Sequence, residues 1–60
     1  MTFVWYIDRA TGELLCSGCA DGRDAVLDRF ATTDGRDAGE LFCDCCDDNI
    51  RLWHEEHEAQ

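Results

Sequence analysis

Leu41-Phe42-Cys43-Asp44-Cys45-Cys46-Asp47-Asp48-Asn49-Ile50 is the stretch on which the fold turns. Cys43 and Cys46 stand with two residues between them, and Cys16-Ser17-Gly18-Cys19, separated from them by 23 residues, has the same spacing. Two intervening residues let both sulfurs of a turn face one ion. A C-x2-C...C-x2-C pattern thus offers the four soft thiolates that tetrahedral zinc takes at about 2.3 Å. Four protein ligands close the shell, so the single Zn2+ expected here is structural and the chain is not expected to be an enzyme. Cys45 is the odd member. It is an alternative fourth ligand in place of Cys43 or Cys46, or else a spare thiol beside the site, where exposure at a helix start would open a redox-sensing role.

Downstream of Cys46, Ile50, Trp53, His54 and His57 recur on one helical face, and Asp47 and Asp48 suit the positive end of a helix dipole. The spacing predicts a C-terminal helix over Asp47–Glu58, opened by the second knuckle. His54 and His57 form H-x2-H, a spacing able to share a second metal, although histidines so placed more often border an apolar face.

Upstream, Thr2 to Asp8 is β-branched and aromatic without glycine, Arg9-Ala10-Thr11-Gly12 has turn chemistry, and Glu13 to Cys16 can return as a strand. An N-terminal hairpin is expected to deliver Cys16, with Gly18 permitting the bent backbone of the first knuckle. Between the knuckles, Val26, Leu27, Phe30 and Ala31 recur at helical spacing, which predicts a short amphipathic helix opened by Asp21 or Gly22 and ended by Thr32-Thr33-Asp34-Gly35. Asp-Gly-Arg-Asp-Ala occurs at 21–25 and again at 34–38; the second copy reads as a polar loop or a single helical turn. The fold class is therefore a small zinc-stabilised α+β domain spanning residues 1–60.

A chain of 60 residues buries only about 60% of the surface its unfolded form exposes, so a staple is needed beyond its core. An odd number of cysteines, five, speaks against a purely disulfide framework. No basic and apolar leader marks export, so a reducing, cytoplasmic setting is expected. No apolar run approaches the length of a membrane span.

The basic residues are five arginines and no lysine, against 14 acidic residues, for a formal net charge of -9. Phosphate recognition needs clustered cations, so direct nucleic-acid binding is not expected. A GC-rich genome or a saline habitat would produce such a composition without any function. The alternative is that acidity is itself a binding feature, aimed at a basic protein or imitating a nucleic acid.

A knuckle after a hairpin, then a second knuckle opening a helix, resembles the treble-clef zinc fingers of the GATA-type, LIM and RING-associated groups. The likeness rests on Leu15-Cys16-Ser17-Gly18-Cys19 and on Leu41-Phe42-Cys43-Asp44-Cys45-Cys46 running into Asn49-Ile50-Arg51-Leu52-Trp53-His54. A zinc ribbon shares the spacing, but the helical periodicity after Cys46 argues against it. DNA-binding members of the superfamily carry basic residues where this chain has Asp47, Asp48, Glu55, Glu56 and Glu58 with Arg51, so the resemblance implies the metal site and not DNA recognition. Rubredoxin-type iron binding also uses two knuckles, usually with proline after the thiolates, and this chain has no proline.

The expectation from the sequence is a small acidic zinc-binding protein-interaction module, a regulator or inhibitor of a protein with a basic surface. Trp5, Tyr6 or Trp53 would serve as anchors. Two alternatives stand beside it: a nucleic-acid-associated zinc finger with halophile-type composition, and a thiol or iron redox protein.

Overall fold

The structure is a computed structural model that describes residues 2–58. Its elements are β1 (Phe3–Asp8), β2 (Leu14–Cys16), α1 (Ser17–Asp21), β3 (Leu27–Thr32), α2 (Gly35–Gly39) and α3 (Ile50–Glu58). The strands form one antiparallel sheet in the order β2-β1-β3. Among the described residues no helix is long and apolar enough to cross a membrane.

The N-terminal hairpin forms as its residues dictate. Asp8 N donates to Glu13 O at 2.9 Å and Gly12 N to Asp8 O at 2.7 Å, with Gly12 at φ 76°, the left-handed conformation the turn requires. The buried Asp8 carboxylate accepts from Ala10 N at 2.8 Å and from Arg23 at 3.1 Å, so its burial leaves no unpaired charge.

The expected helix from Asp21 to Ala31 does not exist. Leu27–Thr32 is a strand that pairs along the whole of β1, from Phe3↔Thr32 to Asp8↔Leu27. Four apolar positions fit either period, and the sheet decides between them. β2 covers one edge of β1, so the other edge would otherwise leave a row of N–H and C=O groups without a ladder. The register sets Phe30 on Trp5, rings stacked at 5.9 Å, and leaves Val26, expected in a helical core, 67% exposed. Asp21 and Gly22, expected to open a helix, instead end one: Asp21 is the last residue of α1 and Gly22 its C-cap. The second Asp-Gly-Arg-Asp-Ala copy forms a helical turn, α2, in which Asp34 caps the Arg36 N–H at 2.8 Å and Ala38 is fully buried.

The C-terminal helix begins at Ile50, three residues later than expected. Asp47 sits at φ 64°, outside helical geometry, and Asn49 supplies the cap. Asn49 Oδ1 accepts from Leu52 N at 3.2 Å, Asn49 O accepts from Trp53 N at 2.8 Å, and its amide donates to Gly39 O at 2.7 Å, which ties α2 to α3.

His54 takes up a structural task at the edge of the sheet. β2 ends at Cys16, opposite Trp5, so the neighbouring Val4 has no strand partner on that side. His54 Nε2 lies 2.8 Å from Val4 N and 3.0 Å from Val4 O, and the Phe3 ring meets the imidazole edge-on. The buried His54→Phe variant keeps the volume but strands the Val4 N–H, which should cost about 1–3 kcal/mol. At constant zinc the melting temperature should then fall by roughly 4 °C or more; an unchanged melt would refute this role.

Candidate metal centre

The site is assembled by docking the second knuckle onto the strand that carries the first. Cys16 is the last residue of β2, in extended conformation, and the chain turns directly into α1, which holds Cys19. Gly18 has no positive φ. It packs against α3 instead, where a Cβ would stand 3.4 Å from the Trp53 indole, an ordinary van der Waals contact.

The second knuckle is a turn over residues 44–46 closed by the Phe42↔Asn49 bridge, with Cys43 N donating to Asp48 O at 2.8 Å and Asp47 N to Cys43 O at 2.9 Å. Leu15 pairs with Tyr6, so the backbone groups of its neighbour Leu14 point to the free edge of β2. Asp44 takes both of them: Asp44 N donates to Leu14 O at 2.7 Å, and Leu14 N donates to Asp44 Oδ2 at 2.9 Å. This clamp brings Cys43 and Cys46 beside Cys16 and Cys19.

The Sγ atoms of Cys16, Cys19, Cys43 and Cys46 all lie within 4.8 Å of one another. The Cys16–Cys46 separation is 3.7 Å. A tetrahedron with zinc–sulfur bonds of about 2.3 Å has edges of about 3.8 Å, so this group has the size of a four-thiolate metal site. All five cysteines are free of disulfides. Cys16 and Cys43 are buried, Cys19 is half-buried and Cys46 is exposed, so the cluster reaches from the core to the surface.

Cys45 stays outside the group. Its side chain is exposed in the turn, and its backbone N–H donates to Cys43 Sγ at 3.4 Å beside that of Cys46 at 3.5 Å. Because α3 starts at Ile50, Cys45 does not occupy a helix N-terminus, contrary to expectation. His54 is bound to Val4, and His57 stacks on Trp53 at 4.1 Å with Nδ1 2.8 Å from Trp53 O. Neither histidine belongs to a group of three or more metal-capable side chains among the described residues.

The thiols are electrostatically unequal. Burial opposes ionisation of Cys43, yet backbone N–H groups of Cys46, Cys16 and Cys45 aimed at its sulfur outweigh it and lower the pKa to about 6. Burial, then hydrogen bonding among the neighbouring sulfurs, pushes the Cys19 thiol up. At Cys46 the Asp48 backbone favours the thiolate, but burial and the Cys43 hydrogen bond prevail and raise the pKa to about 11. Four sulfurs this close do not all ionise unaided. A dication among them would supply the missing charge and hold the set deprotonated.

No family model, curated protein or solved structure matches the chain. The chemistry of the site has to be read from the sulfurs themselves. The Asp44 clamp was not legible in the sequence, where that residue counted only as a spacer between cysteines. Asn49 did carry a signal, an asparagine directly before the apolar Ile50.

Proposed function

We propose that Cys16, Cys19, Cys43 and Cys46 hold one structural Zn2+ and that the domain so fastened is a protein-interaction module, a regulator or inhibitor of a protein with a basic surface. The observation that carries the first part is the sulfur group, whose 3.7 Å edge between Cys16 and Cys46 matches a tetrahedral S4 shell. An all-thiolate tetrahedral set suits zinc or iron and leaves no open position for substrate. The chain's remaining role is then display of a surface. The helix that follows the second knuckle favours a treble-clef arrangement over a zinc ribbon.

What that surface displays is negative charge. Arg9 is paired with Asp28 at 2.9 Å, Arg23 with Asp8 and Glu13 at 3.1 and 3.2 Å, and Arg51 with Glu55 at 3.0 Å. The stretch from Asp34 to Asp48 meanwhile exposes Asp34, Asp37, Glu40, Asp44, Asp47 and Asp48 against a single arginine, Arg36. Such a field attracts a cationic partner and repels phosphates.

The zinc-loaded domain, immobilised and challenged with lysate of its host, should retain proteins of net positive charge that elute as salt rises. Micromolar affinity for duplex DNA or RNA at physiological salt would overturn the reading.

A further inference from the structure

We propose that a groove beside the first knuckle receives an arginine side chain from a basic protein segment. This rests on the reading of the domain as a module for basic partners and names the place where such a partner is gripped. Tyr6 of β1, Leu27 of β3 and Trp53 of α3 line, with Ser17, Ala20 and Asp21 of α1, a cavity of about 660 Å³. That is ample for one long side chain, since sites for whole small molecules occupy roughly 300–1,000 Å³.

The lining selects the ligand class. Asp21 is its one charged residue and is exposed, and no lysine, arginine or histidine lines the cavity. A phosphate or carboxylate would therefore enter a negative field with no counter-ion, whereas a cation meets a carboxylate. The two aromatic side chains favour guanidinium over ammonium, because the planar, weakly hydrated group stacks on rings while its fork of donors reaches an acid.

The Trp53 wall is fixed in advance. The His57 ring stacks on the indole at 4.1 Å with planes 13° apart, and the His54 ring meets it edge-on at 5.1 Å. A pre-set aromatic anchor loses little freedom on binding.

The test uses the zinc-loaded full chain, isotope-labelled for NMR. It is titrated at physiological salt with a capped Gly-Arg-Gly-Arg-Gly peptide and with its lysine and glutamate counterparts. Shifts should concentrate at Tyr6, Leu27 and Trp53, including the indole N–H, with the arginine peptide binding most tightly. Asp21→Asn, a surface change that leaves the fold in place, should weaken binding about tenfold. Asp37→Asn, which removes an exposed acid on α2, should change it by less than about twofold.

Shifts centred elsewhere, equal losses in the two variants, or equal binding of the glutamate peptide would overturn the groove while leaving the acidic module standing. So would failure of the arginine peptide to bind when the domain still retains basic proteins. If neither the peptide nor any basic protein binds, both readings fall.

Discussion

Cys43→Ser should leave the chain without a stable fold at 25 °C even in excess zinc, whereas Cys45→Ser should fold and bind the metal as the parent does. Cys43 is 1% exposed, packs in the core and accepts the two N–H groups that shape the second knuckle. Serine offers a shorter, harder donor and leaves a three-sulfur site. Structural zinc sites contribute about 10–16 kcal/mol of apparent binding free energy at neutral pH, which is folding free energy when the apo chain is unfolded. A core of this size supplies no more than about 3–5 kcal/mol by itself. Cys45, by contrast, is exposed and outside the four-sulfur group, and serine retains the backbone amide that donates to Cys43, so stability should change by less than about 0.5 kcal/mol. Dispersion of the amide NMR spectrum distinguishes the two variants. A well-dispersed Cys43→Ser spectrum would show that the sulfur group does not hold the fold.

Removing the metal should have an effect of the same order, because of what the core contains. Leu15 and Ile50 are the only large aliphatic side chains that are fully buried among the described residues. The other buried apolar residues are Phe3, Ala20, Ala38 and the site cysteines Cys16 and Cys43. The sulfur group is thus continuous with the core, and it joins the end of β2, α1 and the turn before α3. Without a cation, those elements are held by the Asp44 clamp, the Asn49 bridge and little buried area. Acid should act in the same direction as a chelator, since the ligands bind as thiolates and protons compete with the metal for them.

Much of this was legible from local sequence. Gly12 marks the hairpin turn, Phe3 to Asp8 has strand composition throughout, and the two knuckles announce the sulfur group by spacing alone. What was not legible depended on partners distant in the chain. Asp-Gly-Arg-Asp-Ala shows the limit most directly. At 21–25 it ends α1 and runs into loop, while at 34–38 its aspartate caps α2. Identical residues adopt both forms because different neighbours receive them. Leu27 to Thr32 fits a helix by periodicity and becomes a strand because β1 has an edge to fill. Asp47 is suited by charge to a helix start, but the closure of the knuckle holds it at positive φ and passes the cap to Asn49. His54 was read as a bordering side chain or a ligand. Its task follows from where β2 stops, which no spacing on α3 reveals.

The measurement that tests the central claim most directly is a zinc titration of the chelated, reduced chain, followed by far-UV circular dichroism with native mass spectrometry at the end point. Removal of metal should abolish the folded spectrum. Zinc should restore it with a break at one equivalent, and the restored species should carry a single zinc ion per chain. A spectrum unchanged after verified metal removal, or a chain that regains its fold without taking up zinc, would contradict a domain held together by Cys16, Cys19, Cys43 and Cys46.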